Sequence, residues 1–224
     1  MKTIFVVCQH GNEQLPLKIL RDKKKFKYII ANPKAVEKNK RFIESDLNRS
    51  FPGDIRGKSY EERLAKKLLT KIKNYDEVID LHTATCQTPI FAILTKITPH
   101  HLEIVKKMGI KRVVYMKKSI AFGKALIDHV KCGVSIECGN EKSQKTKKDI
   151  EKILDNFSKE KRSHKKLEIY AVYKILKKTK YRTKLPKNIK NFRQVVLDGE
   201  NFFPILAREK NYPNTLCLMA KKMH

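Results

Sequence analysis

The sequence predicts an α/β protein: a three-layer domain with a mixed β-sheet over residues 1–160, followed by a small β domain over residues 161–224. Three observations carry this. Short apolar, β-branched runs alternate with stretches of helical periodicity up to about residue 140, the pattern that builds layered α/β domains. A polar, lysine-rich helix and linker then runs from Lys142 to His164. Beyond it only strand-like runs follow.

The first strand, residues 3–8, is the run Thr3-Ile4-Phe5-Val6-Val7-Cys8, which gives way to a glycine turn at Gly11. A short strand is expected at 27–30. Ser59 with Glu62 three residues on forms a helix-start signature, and Leu64, Leu68 and Ile72 continue at helical spacing, so a helix spans about 60–73. The preceding Gly53-Asp54-Ile55-Arg56-Gly57-Lys58-Ser59 is superficially a phosphate-binding loop, but three residues separate its glycines where that motif needs four. Strands at 77–81, 90–94, 112–115 and 133–137 alternate with helical patterns at 99–108 and 119–129. His100-His101, after the helix-starting Pro99, reads as a surface pair and not as ligands. In the last region Leu167 to Leu176 alternates as a strand does, with further runs at Gln194 to Leu197, Phe202 to Ala207 and Thr215 to Met219.

Composition narrows the function classes. A chain of 224 residues can bury a real core. Its five cysteines, Cys8, Cys86, Cys132, Cys138 and Cys217, lie in or beside apolar runs without C-x-x-C spacing, so buried free thiols in a reducing compartment are expected. No apolar run approaches the roughly 20 residues that span a bilayer, and the N-terminus has no cleavable signal pattern; a soluble, cytoplasmic protein is expected. The net charge of +28 is spread over many lysine blocks and would attract anionic substrates and polyanions alike. No nucleic-acid module is recognisable, so nucleic acid is not the expected partner. Self-association into a homo-oligomer is left open.

The chemistry lies where apolar runs end. His10 and Glu13 follow the first strand, His82 follows Glu77-Val78-Ile79-Asp80-Leu81, and Glu137 follows Gly133-Val134-Ser135-Ile136. Open α/β sheets commonly assemble their sites from such strand ends. Zinc takes nitrogen and carboxylate-oxygen ligands, and a catalytic site uses three of them and leaves one position for water. His10, Glu13 and His82 supply that set, for one Zn2+ per chain, and Glu137 is the candidate base that takes a proton from the water and returns it to a leaving amine. The segment from Arg41 to Gly53 carries Arg41, Asn48 and Arg49 in a loop suited to an anionic substrate.

Taken together, His10-Gly11-Asn12-Glu13, Asp46-Leu47-Asn48-Arg49 with Arg41 upstream, Asp80-Leu81-His82 and Ile136-Glu137-Cys138-Gly139 resemble the ordered motifs of the succinylglutamate desuccinylase and aspartoacylase family, relatives of the zinc carboxypeptidases. The resemblance implies a zinc-carboxypeptidase-like domain with a C-terminal β domain capping the active site. It implies that His10, Glu13 and His82 hold zinc, that Glu137 activates the water, and that Arg41 polarises the scissile carbonyl. By the same resemblance Asn48 and Arg49 grip the substrate α-carboxylate, and Tyr212, in Glu209-Lys210-Asn211-Tyr212, enters the pocket. Asp46 reads as a residue that orders the loop. The sequence departs from the family where aspartoacylase-like enzymes carry an arginine for an acidic side chain: Ile127 stands there. The implied activity is zinc-dependent hydrolysis of the acyl amide of a small anionic N-acyl amino acid. The alternatives are a zinc carboxypeptidase acting on short peptides and a weakly active polyanion-binding protein.

Overall fold

Alternation along the first strand, β1 (Thr3–Val7), sends Phe5 and Val7 into one apolar cluster and Ile4 and Val6 into another, so this strand is covered on both faces. In the computed structural model, which describes residues 1–117, 123–159, 166–178 and 188–223, the sheet around it extends to ten strands. The others are β2 (Tyr28–Ile30), β3 (Glu77–Ala84), β4 (Phe91–Leu94), β5 (Arg112–Met116), β6 (Cys132–Asn140), β7 (Glu168–Lys177), β8 (Val195–Leu197), β9 (Glu200–Ile205) and β10 (Thr215–Lys222). Their spatial order is β2-β1-β3-β6-β4-β5-β7-β10-β9-β8. β2, β1, β3 and β6 are parallel, β4 runs antiparallel to β6, and β4, β5 and β7 are parallel again. β7, β10, β9 and β8 are antiparallel. The expected α/β fold with a mixed sheet is the one observed.

Helices α1 (Leu15–Arg21), α4 (Pro99–Lys107) and α5 (Gln144–Ser158) cover one face through Leu17, Leu20, Ile104, Val105, Ile150 and Leu154. Helix α3 (Tyr60–Ile72) covers the other through Ala65, Leu68 and Ile72. Ser59 and Glu62 form the capping box that the sequence announces. Alternation then sorts the chemistry. On β3, Ile79 and Leu81 enter the α1 side while Asp80 and His82 share the opposite face with Val78. On β6, Val134, Ile136 and Cys138 enter the α1 side and leave Ser135 and Glu137 on the face of His82.

Several features differ from the sequence reading. Short helices α1 and α2 (Pro33–Glu37) were not anticipated; at seven and five residues they hold through tertiary contacts and not through propensity. Of the helix expected at 119–129, residues 119–122 lie outside the described residues, and the rest is a single 3₁₀ turn, Leu126–Asp128. Ala125 is extended and the Asp128 carboxylate accepts from its N–H (3.2 Å), which stops a helix from continuing across it. His101 is buried, its Nδ1 2.7 Å from Thr98 Oγ1, and is not a surface residue. The expected boundary near residue 160 also lies outside the described residues. Downstream, β7 pairs in parallel with β5 from Arg112–Glu168 to Met116–Val172, so the last strands extend the same sheet. All five cysteines are buried and free.

Candidate metal centre and active site

The chain leaves β1 through Cys8, whose φ of 56° turns it sharply at the strand end. The turn beyond leaves no room for a side chain: a Cβ on Gly11 would lie 2.0 Å from the Ala35 carbonyl carbon of α2. His10 and Glu13 flank this close approach, and both are buried. His10 Nδ1 lies 2.7 Å from Glu13 Oε1, and His82 Nδ1 lies 2.9 Å from Glu13 Oε2. One ligand atom from each of the three residues falls within 4.8 Å of the others.

The far sides of both imidazoles are held by carboxylates: His10 Nε2 by Asp46 at 3.1 Å, His82 Nε2 by Asp80 at 2.7 Å. A carboxylate accepts and does not donate, so each Nε2 is placed to donate to its aspartate, and a cation at the centre would find each Nδ1 facing it, the arrangement that orients metal-binding histidines. Asp80 is itself fixed by Gln9 Nε2 at 2.5 Å, and Glu13 Oε2 accepts from the Thr83 N–H at 3.2 Å. Burial disfavours charge on all three central groups, yet their attraction prevails. Both imidazoles titrate above the ordinary histidine value, His10 through Glu13 and Asp46 and His82 through Asp80 and Glu13. Glu13 is held below the usual carboxylate range by His10 and His82. Two imidazole nitrogens pressed against the two oxygens of one buried carboxylate need positive charge between them, which protons or one divalent cation can supply. The donor set fits zinc.

Glu137 stands directly opposite His82 in the β3–β6 register. Its exposure is into the pocket; its Oε2 is sealed and has no hydrogen-bond partner among the described residues. Burial pushes its carboxyl up to about 8, with repulsion from Glu13 and Glu209 adding and attraction from His82 opposing. A carboxyl poised in that range can both take and return a proton near neutral pH.

Arg41 reaches the same centre, its Nη1 3.2 Å from Glu13 Oε1 and its Nη2 3.1 Å from Asp46 Oδ2. The Tyr212 ring lies over its guanidinium, 5.5 Å from the centroid. Asp46 also accepts from the Asn48 N–H at 2.9 Å, which fits its expected role in ordering the loop. Asn48 Oδ1 accepts from the Leu126 N–H at 3.2 Å, leaving its amide nitrogen as a donor, and the exposed Arg49 lies beside it. All of the sequence-singled residues, His10, Glu13, Arg41, Asn48, Arg49, His82, Glu137 and Tyr212, line one pocket.

Sequence reasoning gave no role to three supporting carboxylates. Glu61 of α3 is wholly buried and accepts from the N–H groups of Ile43 (2.7 Å), Glu44 (3.1 Å) and Ser45 (3.0 Å), anchoring the arginine loop. Its signal was an acidic residue in line with Ala65, Leu68 and Ile72 on the buried face of a helix. Glu209 accepts from the N–H groups of Thr85 (2.9 Å), Cys86 (3.1 Å) and Asn211 (3.1 Å), tying the Tyr212 segment to the end of the His82 strand. Asp80, the partner of His82, is a charge inside an apolar run. Glu61→Ala strands three backbone donors, so a loss of about 3 kcal/mol or more is expected. Thermal denaturation should show it as a drop in Tm of roughly 6–12 °C.

Residues 2–161 match the succinylglutamate desuccinylase/aspartoacylase catalytic domain. A probable aspartoacylase from Prochlorococcus marinus is 32% identical over 167 residues, covering 62% of this chain and 54% of that protein. A succinylglutamate desuccinylase from Idiomarina loihiensis is 32% identical over 89 residues, 34% of this chain and 26% of that protein. The chain spans about half the length of the probable aspartoacylases it matches over the longest stretches. Among solved structures, murine aminoacylase 3 is similar with a TM-score of 0.79 at 16% identity, covering 100% of this chain and 95% of that one. The succinylglutamate desuccinylase from Chromobacterium violaceum is similar with a TM-score of 0.72 at 17% identity, covering 99% and 84%. At these identities the structures speak to the fold. Among the described residues no helix is long and apolar enough to cross a membrane.

Proposed function

Because this chain belongs to the succinylglutamate desuccinylase/aspartoacylase family, we propose that it is a zinc-dependent deacylase that hydrolyses the acyl amide bond of an N-acyl amino acid. The observation that carries the reading is the juxtaposition of His10, Glu13 and His82 with Glu137, whose sealed oxygen has no hydrogen-bond partner among the described residues. His10, Glu13 and His82 would hold the zinc, which when bound polarises a carbonyl and lowers the pKa of water from 15.7 toward about 7.

The protein groups divide the rest of the work. Glu137 takes the proton of the attacking water and delivers it to the departing amine, and burial keeps its basicity high enough for the first step. Arg41 stabilises the developing oxyanion; a preorganised donor of this kind is typically worth about 10²–10³ in kcat. The Asn48 amide and the Arg49 fork bind the α-carboxylate. Tyr212, brought over Arg41 by the segment that Glu209 anchors, closes the pocket from the C-terminal side. The net charge of +28 raises the local concentration of an anionic substrate.

The test is amine release from N-acetyl and N-succinyl amino acids and from short peptides, with zinc-loaded enzyme. Turnover of an acyl amino acid is the expected result. Turnover confined to peptides would move the assignment to a carboxypeptidase, and salt-sensitive RNA binding without turnover would favour a polyanion-binding protein.

A further inference from the structure

The pocket has two unlike halves. One holds the imidazoles, carboxylates and arginines described above; the other is walled by Ile93, Met116, Ile127, Ile175, Leu206 and Leu218. The sheet builds much of this wall. Ile93 of β4 pairs with Ser135 of β6 and with Val114 of β5, so it projects on the same face as Glu137. Met116, two residues beyond Val114, continues that face, and Leu218 and Ile175 are cross-strand partners on β10 and β7.

Ile127 joins the two halves. It packs against Ile93. It also follows Leu126, whose N–H is bonded to Asn48 Oδ1, so the carboxylate grip and the apolar wall are fixed to each other by one 3₁₀ turn. If an α-carboxylate is held at Asn48 and Arg49 as proposed, the wall that includes Ile127 is the surface next to it, where the α-carbon substituent would lie. Among the described residues lining the pocket, Arg41 and Arg49 are the only Lys or Arg side chains, and Arg41 is already bonded to Glu13 and Asp46. Among the described residues, a second substrate carboxylate on this side would meet isoleucine and methionine, with Glu137 and Glu209 as the nearby charges. Burying an unpaired charge against such a surface is strongly disfavoured.

On the deacylase reading, we propose that this protein selects N-acyl amino acids with an uncharged, apolar side chain, and that Ile127, packed on Ile93, is the residue that sets this preference. The test compares N-acetyl-leucine with N-acetyl-aspartate, which are close in size and differ in charge. Calorimetric binding to zinc-loaded Glu137→Gln reads the preference without turnover, and amine release by the wild-type enzyme reads the reaction. The leucine compound is expected to bind about 100-fold or more tightly. Ile127→Arg should abolish that margin by strengthening aspartate binding. If that variant does not fold, Met116→Arg, at the half-buried end of β5, places a cation on the same wall and should shift the ratio the same way. Equal or tighter binding of the aspartate compound by the unsubstituted pocket would overturn the proposal, and its hydrolysis would leave the deacylase reading standing. Leucine-selective binding with amine release from peptides alone would do the reverse. Binding of neither compound would overturn the proposal as well.

Discussion

Glu137→Gln is expected to retain zinc at the wild-type level and to lose about 10³-fold in kcat/KM, within the range spanned by general acid–base catalysis. The substitution is nearly isosteric and sits opposite His82 without contributing to the three-residue metal group, so the metal should not notice it. On the proposed mechanism the lost function is proton transfer, since an amide neither takes the proton from water nor returns it to the amine. The unpartnered Oε2 makes the change structurally mild, because no hydrogen bond within the described residues depends on that oxygen. Since the base must be ionised, activity should fall as pH drops through its pKa, and burial places that limb above the ordinary carboxylate range. The limb should disappear in the variant. Metal analysis beside steady-state kinetics checks the account, and wild-type turnover at full zinc occupancy would refute the role of Glu137.

The second large effect is loss of metal and activity together in His82→Ala. His82 faces Glu13 with one nitrogen and Asp80 with the other, so its removal deletes a proposed ligand and leaves a buried carboxylate unpaired. The charges also predict how the metal-free protein responds to pH. His82 and His10 have raised values, so their contribution to stability is complete below the free-histidine value of 6.5 and is lost as pH rises through their folded values. Glu13 has a lowered value, so its contribution is present above 4.5 and is lost only as pH falls through the folded value. Metal-free protein should therefore lose thermal stability as pH is raised above 6.5, while zinc-loaded protein resists because the cation replaces the imidazole protons. Melting curves with and without chelator across that range decide it; parallel curves would mean that the imidazoles hold no protons beside Glu13.

The residues legible in the sequence are those whose signal is local. His10, Glu13, His82 and Glu137 each stand where an apolar strand meets a polar residue, and the sheet brings these strand ends together. The α3 start was legible because its cap lies within three residues. What could not be read depends on partners distant in the chain. The turn at Leu126–Asp128 replaces part of an expected helix because Asn48, 78 residues upstream, takes the Leu126 N–H. Glu61 looks like an ordinary charge at a helix start until the arginine loop is seen to hang its backbone on it. The parallel pairing of β7 with β5 is likewise a long-range choice on which period-two alternation is silent. Asp80 gives the same lesson at shorter range. A carboxylate inside the run Val78-Ile79-Asp80-Leu81 acquires meaning only when His82, two residues on, shares its face.

The most direct test of the central claim is anomalous diffraction at the zinc absorption edge from crystals of zinc-loaded Glu137→Gln soaked with an N-acyl amino acid. The account predicts one zinc peak in contact with His10, Glu13 and His82, the acyl carbonyl beside Arg41 and the carboxylate on Asn48 and Arg49. A peak elsewhere, or a substrate bound away from these residues, would contradict it.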